Sequence, residues 1–313
     1  MSEHTADISY GTTGEHHPYH LVRPSIWPLA GALAGGIFAL GMILFMHDVA
    51  WGDVKFGLWG PLLGVAAILA VMGFWWKDVI GESIHEHVHN KITERGLKLG
   101  MALFIISEIM FFSAFFGAFF DLSLFVDDVK QYLRHDYAMG VWPPPFIHPV
   151  DPFDLPFLMT MILVLSGTTV TWAHHAILHG QKNAATTALS LTVLLGLVFV
   201  GLQAFEYAHA HFKFGDGSFA STFYMATGFH GFHVIIGTIF LGVCLIRNMK
   251  GHFLPHRHFG FEAAAWYWHF VDIVWIFLFF AVYVWGGMVG IGDHESARAA
   301  LEAQAASAGS AGE

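Results

Sequence analysis

The sequence of 313 residues is too apolar and too poor in charge for a water-soluble protein. Apolar residues make up 55% and charged residues 12%, against about 45–50% and about 25% in ordinary soluble domains. The net charge of −10, with basic residues scattered singly, argues against a nucleic-acid partner, which requires a basic surface. A lone cysteine, Cys244, excludes an intrachain disulfide and a two-thiolate metal site.

Seven stretches are long and apolar enough to cross a bilayer as helices, which takes about 20 residues each. The sequence therefore predicts an all-α integral membrane protein, a helical bundle of seven transmembrane helices. The spans are expected at residues 26–46, 58–76, 97–124, 155–178, 188–207, 221–247 and 263–287.

The segments outside the spans indicate the orientation. Residues 1–25 lack the basic segment and apolar core of a cleavable signal, so we expect them to remain as a cytoplasmic N-terminal tail. Residues 77–96 are expected to form a cytoplasmic loop, and residues 288–313 a flexible C-terminal tail. Basic residues are more numerous on the side of the N-terminus, which predicts an N-terminus in the cytoplasm or an equivalent compartment and a C-terminus on the opposite, periplasmic side. The uncleaved N-terminal tail favours the inner membrane of a bacterium over a mitochondrially encoded chain.

A carboxylate, Glu108, lies in the third span, about 16 Å from the predicted start of that span at the helical rise per residue. An ionised carboxylate near the bilayer centre costs a few kcal/mol or more. Glu108 is therefore either a neutral or hydrogen-bonded group that packs helices together, or a protonatable group on a polar pathway.

Two histidines, His230 and His233, share one face of the sixth span, because residues three apart on a helix are neighbours. They are either half of a metal site or buried groups that bond to carbonyls or to Glu108. The second interpretation is favoured, and we expect one of them to contact a polar group of another span. The adjacent His174 and His175 diverge by about 100° on a helix, so they cannot face one centre and are interpreted as interface groups.

The seventh span opens with several polar side chains. Asp272, His269 and Trp268 lie three and four residues apart, so we expect their polar groups to bond to one another. Glu262 lies at the helix start, where the helix dipole favours a carboxylate. Because no nucleophile accompanies them, a structural polar role is favoured for Glu262, His269 and Asp272. Glu206, near the end of the fifth span, is expected to reach the membrane interface.

Aromatic and basic residues meet at the predicted cytoplasmic rim. Trp76 and Lys77 end the second span, Arg247 ends the sixth, and His89 lies in an inner loop. These residues are either ordinary membrane anchors or a site for an anionic lipid, with the cations on its phosphate. Elsewhere the sequence has no glycine-rich nucleotide loop, copper motif or serine elbow, so we expect no catalytic residue and no metal site.

Five sequence blocks, in this order, resemble the cytochrome c oxidase subunit 3 family of the heme-copper oxidases. The blocks are WWKDVI at 75–80, FIISE at 104–108, TWAHH at 171–175, ATGFHGFHVIIG at 226–237 and HFGFEAAAWYWHFVD at 258–272.

The resemblance implies a subunit that binds no heme or copper itself. Its expected partners are the oxidase catalytic subunit, which is the main contact, and the copper-carrying subunit. These would hold the hemes and copper, oxidise cytochrome c, reduce oxygen to water and pump protons. In the family a two-helix arm, here 26–76, and a five-helix bundle, here 97–287, form a V-shaped cleft that holds phospholipids.

The resemblance also implies roles for single residues. Glu108 takes the position of the family's membrane-buried carboxylate, and we expect a structural or modulatory role and not an obligatory pumping step. The family's subunit supports proton uptake by the catalytic subunit and protects it during turnover. Lys77 stands where Arg is common, and Gly81 where some members have a basic residue, so the basic groups available for a lipid phosphate differ from those of the family. Lipid contact is implied for Trp76, His89, Arg247, His230 and His233.

Two alternatives remain open. The blocks do not report the electron donor, so the chain could be an accessory subunit of a quinol or nitric-oxide-type oxidoreductase. A stand-alone transporter with Glu108 as its proton-coupling group is disfavoured, because neither inverted repeats nor interrupted helices are evident.

Overall fold

Seven long helices dominate the computed structural model, which describes residues 9–10, 16–17, 24–51, 54–55, 57–86, 91–126, 139–289, 295–297 and 299–303. All seven are long and apolar enough to cross a membrane, which confirms the all-α class and the number of spans. The helices are α1 (Trp27–Met46), α2 (Trp59–Gly81), α3 (Lys91–Leu124), α4 (Leu155–Leu178), α5 (Lys182–His209), α6 (Ser218–Met249) and α7 (Phe259–Leu278).

Several helices extend beyond the apolar stretches that predicted them. The predicted bounds of α4 are confirmed, whereas α3 and α5 begin about six residues earlier than expected. The second span does not end at 76, because α2 continues to Gly81 and into a wider π-helical segment, Glu82–Glu86. At 34 residues α3 is about 51 Å long, against about 30 Å of hydrocarbon. Apolarity marks only the lipid-embedded part of such a helix.

The remaining described elements are short. Strand β1 (Ser9–Tyr10) pairs with β2 (His16–His17), and β3 (Ala50–Trp51) with β4 (Val54–Lys55). A π-helical segment, Phe279–Val289, follows α7. Residues 295–297 and 299–303 of the C-terminal tail are helical, and the rest of the predicted flexible tail lies outside the described residues.

The chain divides into two compact units, residues 1–97 and 98–313. In the first unit α1 and α2 pack against each other along their length. Glycines allow this contact, since a Cβ at Gly64 would overlap the backbone of Phe38 and one at Gly41 would overlap Gly60. The V-shaped arrangement of arm and bundle stays a prediction.

In the second unit α7 is the central helix. Over half of its apolar window, 56%, is buried, against 6% for α3. Trp268 of α7 inserts between α5 and α6, where a Cβ at either Gly196 or Gly237 would lie 2.8 Å from its ring. The polar side chains of α7 therefore face neighbouring helices, and this sets the geometry of the site.

Candidate functional site

Glu108 and His233 form a pair between α3 and α6. The Glu108 carboxylate Oε2 lies 2.9 Å from the His233 ring Nε2. Each residue lies near the middle of a helix of more than thirty residues, so the pair is about 25 Å from the helix ends. This confirms that one of the two histidines contacts a polar group of another span.

Counting hydrogens shows that the pair holds one transferable proton. Nδ1 of His233 lies 2.7 Å from the Phe229 carbonyl oxygen, which can only accept, so Nδ1 carries a hydrogen. One further hydrogen must lie between Nε2 and Glu108 Oε2. Either the carboxylic acid donates to a neutral imidazole or an imidazolium donates to the carboxylate. The pair has no net charge in both cases, which avoids an isolated charge in the bilayer.

Aromatic rings surround this pair. The His233 ring lies 5.0 Å from the ring of Phe112 and stacks at 6.2 Å on Tyr267, measured between ring centroids. The Glu108 side chain keeps 19% of its surface exposed and that of His233 keeps 9%. Of the two side chains, Glu108 is therefore the more exposed.

His230 is buried completely, with 0% of its surface exposed. Its ring packs between Phe199 and Trp275, and its Nε2 lies 3.2 Å from the Val271 carbonyl oxygen of α7. A side chain without exposed surface cannot touch a lipid, so direct lipid contact by His230 is wrong. Its position supports helix packing, the interpretation that the sequence favoured.

The expected bonding among Trp268, His269 and Asp272 is wrong for Trp268. Its indole N–H donates to Ser166 Oγ at 2.9 Å, and His269 Nε2 lies 3.3 Å from Thr171 Oγ1. Both partners belong to α4. Trp268 and His269 therefore bond to the neighbouring helix α4 and not to each other, because side chains project outward from the helix that carries them.

Asp272 is also directed at α4. Its Oδ2 lies so close to Gly167 that a Cβ there would be 2.6 Å away. Its Oδ1 is buried and has no hydrogen-bond partner among the described residues. Gly167 therefore provides the space that the carboxylate occupies.

Glu206 does not reach the membrane interface as expected, since only 4% of its surface is exposed. Tyr283 donates its hydroxyl hydrogen to Glu206 Oε1 at 2.7 Å, and the Gln203 amide donates to the same atom at 3.3 Å. The sequence offered one indication of this burial, because Gln203 lies three residues earlier on the same helix face and can bond to Glu206. Tyr283 lies too far along the chain for spacing to identify.

The predicted rim residues of the first unit lie on α2. Trp76 has 57% of its surface exposed, and Lys77 is also exposed. Next to them, Asp78 accepts a 2.9 Å hydrogen bond from the Trp27 indole, which ties the start of α1 to the end of α2. His89 lies outside the described residues.

Arg247, the rim residue of the second unit, lies in the last turn of α6. Its Cζ lies 4.7 Å from the ring centroid of Phe253, and its guanidinium packs against Gly260. Its Nε is buried without a hydrogen-bond partner among the described residues. The cation is thus held in place by packing.

Glu262 lies in the first turn of α7, as predicted, within a cluster of polar groups. Its Oε2 lies 2.8 Å from Lys98 Nζ, and its Oε1 lies 3.4 Å from His258 Nε2. His174 of α4 joins them, and the ligand atoms of His174, His258 and Glu262 lie within 4.8 Å of one another, close enough to hold a metal ion. Sequence spacing missed this group, because α5 and α6 separate His174 from the other two.

Comparison with known proteins gives one consistent result. A family model described as cytochrome c oxidase subunit III matches residues 17–287. A protein of Marchantia polymorpha named cytochrome c oxidase subunit 3 is 51% identical over 277 residues, covering 88% of this chain and 99% of its own. The Arabidopsis thaliana protein of that name is 50% identical (88% and 98% covered), and a Rickettsia felis protein named probable cytochrome c oxidase subunit 3 is 49% identical (86% and 96%).

Proposed function

The chain belongs to the cytochrome c oxidase subunit III family, and from that premise we propose that it is a supporting subunit without a redox centre of its own. It is a multi-pass membrane subunit of an oxidoreductase complex, and other oxidase subunits are its partners. In this proposal the catalytic subunit and the copper-carrying subunit hold the hemes and copper. The family match over residues 17–287 carries the proposal.

The bonding of the buried histidines supports this assignment. A heme or copper ligand needs a histidine nitrogen with a lone pair that points at the metal. Both ring nitrogens of His233 are hydrogen-bonded, which leaves no lone pair for a metal. The Nε2 of His230 contacts the α7 backbone. These histidines act as contacts between helices.

The Glu108–His233 pair has a structural and modulatory role in this proposal. It joins α3 to α6 by a hydrogen bond without placing a net charge in the bilayer. The chain then supports proton uptake by the catalytic subunit and protects it during turnover by keeping its own helices in place. Glu108 is not an obligatory step of the pump.

The rim residues bind phospholipid in this proposal. Arg247 has no carboxylate partner among the described residues, and the Phe253 ring and Gly260 hold its guanidinium. An anionic lipid phosphate would be the natural partner of such a cation. In the first unit, Trp76 and Lys77 are exposed on α2 and would contact lipid there. Lipid contact by His89 and by His233, which lies near the middle of α6, rests on the family resemblance.

Purification with heme spectroscopy tests the supporting role. The chain is tagged and purified from native membranes in mild detergent, and the reduced-minus-oxidised spectrum is recorded with cytochrome c oxidation over many turnovers. We expect heme a bands, and activity that decays early once this chain is stripped off. A chain that purifies alone and free of heme would contradict the proposal and favour a transporter.

Phospholipid analysis tests the rim. Arg247→Ala and Trp76→Ala should each lower the number of phospholipids that copurify with the complex. Two matched controls should leave the number unchanged: Trp59→Ala, at the opposite end of α2 where the tryptophan is even more exposed than Trp76, and Lys213→Ala. An unchanged number of phospholipids together with unchanged activity in the rim variants would contradict the proposed lipid site.

A further inference from the structure

We propose that His174, His258 and Glu262 form a binding site for a zinc-like divalent cation at one end of the second unit. Residue spacing does not indicate this group, and this inference goes beyond the supporting role proposed above. It rests on three electron-pair donors that meet where α4 ends and α7 begins.

His258 is prepared to be a metal ligand. Its Nδ1 lies 3.1 Å from the Leu254 carbonyl oxygen, which can only accept, so the hydrogen is on Nδ1 and the lone pair on Nε2. Zinc-bound histidines usually donate their second N–H in this way, which fixes the ring orientation. The side chain is more than nine-tenths buried, so its Nε2 has little access to bulk water.

The spacing between His258 and Glu262 fits two neighbouring ligands of one ion. The Nε2 lone pair faces Glu262 Oε1 at 3.4 Å. With bonds of about 2.0–2.2 Å, two ligand atoms of a tetrahedral zinc ion lie about 3.3–3.6 Å apart. Two acceptors at this distance repel each other unless a cation lies between them. Because the residues are four apart at the start of α7, the helix itself maintains this spacing.

His174 supplies the third donor from α4. Its Nε2 is buried without a hydrogen-bond partner among the described residues. Its ring meets that of His258 edge to face, with centroids 5.6 Å apart. The widest separation of ligand atoms, at most 4.8 Å, would close to tetrahedral spacing if the ring moved by about 1–2 Å.

The donor set selects the class of ion. Two imidazoles and one carboxylate suit zinc and its neighbours in the first transition row, whereas magnesium and calcium prefer oxygen ligands alone. Three protein ligands leave a fourth position for water. The expected occupant is therefore Zn²⁺.

Lys98 limits the affinity of the site. Its ammonium lies 2.8 Å from Glu262 Oε2, so it shares the carboxylate and leaves Oε1 for the metal. A positive charge at this distance repels a bound cation. Removing the charge of Lys98 should therefore tighten zinc binding. If Glu262 only pairs with Lys98 and binds no metal, replacing either residue would leave zinc binding unchanged.

Zinc binding to the purified complex that contains the full chain tests the proposal. The complex is treated with a chelator and dialysed against buffered Zn²⁺, and bound zinc is counted per chain by mass spectrometry. Parent complex should bind one more zinc than His258→Gln, with a dissociation constant tighter by about 100-fold or more. Glu262→Gln should behave like His258→Gln, and Lys98→Met should bind several-fold more tightly than the parent.

His209→Gln is the matched control, since His209 is an exposed histidine at the far end of α5. It should bind as much zinc as the parent. Anomalous scattering at the zinc edge should give a peak between the three side chains. Equal zinc in the parent and His258→Gln, or a peak located elsewhere, would overturn the proposal. Because zinc is counted per chain, lower yields of a variant do not affect the result.

Discussion

Two replacements of Glu108 should show whether the hydrogen bond to His233 or the ionisable carboxyl group is what matters at this position. Glu108→Ala leaves His233 Nε2 without its 2.9 Å partner in a largely buried position. A hydrogen bond between helices in a membrane contributes about 0.6–2 kcal/mol, and a buried polar group left unpaired costs about 1–3 kcal/mol. We therefore expect Glu108→Ala to lower the free energy of unfolding by about 1–2 kcal/mol.

Glu108→Gln should be much milder, because an amide N–H can donate to Nε2 from the same place. Its expected cost is below about 0.5 kcal/mol, within the usual range for a conservative change. Ser107→Ala is the control in the same turn of α3, since among the described residues the Ser107 hydroxyl bonds only to the Phe104 carbonyl of its own helix. Proton translocation per electron should be retained in Glu108→Gln.

The assay measures the free energy of unfolding of the purified protein in a denaturing detergent. It is applied to Glu108→Ala, His233→Ala and the double variant, which together form a double-mutant cycle. The coupling free energy should be about 1–2 kcal/mol in favour of the pair. Zero coupling would show that the contact does not stabilise the helices. Loss of proton translocation in a normally assembled Glu108→Gln complex would refute the modulatory role.

Three further predictions concern other parts of the chain. Gly64→Leu should reduce the assembled complex in membranes several-fold, because a Cβ there overlaps the Phe38 backbone, whereas Gly73→Ala, with open space around it, should assemble normally. Tyr283→Phe should lower the free energy of unfolding by about 1–2 kcal/mol, since Glu206 loses its 2.7 Å donor; a variant as stable as the parent would contradict this. Alkaline phosphatase fused to the C-terminus of the chain in bacterial cells should be active, and fused to the N-terminus inactive; the reverse pattern would show the opposite orientation.

The fold class and the number of spans could be predicted from the sequence, because burial in lipid requires long apolar stretches. Their ends were less predictable. Lys91 and Lys182, where α3 and α5 begin, are polar, so hydropathy placed both starts too late. Hydrogen bonding within a helix continues into water, and apolarity does not report where it stops.

The sequence also predicted correctly that one of His230 and His233 would bond to a polar group of another span, and named Glu108 as a candidate; the structure identifies His233 as that residue. A carboxylate in an apolar stretch needs a partner, and few polar groups lie at the same depth. The burial of Glu206 was not foreseen. Its partner Tyr283 comes from a distant part of the chain, and no local pattern reveals that contact.

What the sequence determined by itself is therefore whatever depends on composition and on neighbours along one helix: seven spans, the family blocks, and the side chains that share a helix face. Only the tertiary structure decided which faces meet. Trp268 bonds to Ser166 on α4 and not to Asp272 on its own helix, and His174 joins His258 and Glu262. Such contacts depend on how helices pack, which is set by the shapes of many side chains at once and not by the spacing of any few residues.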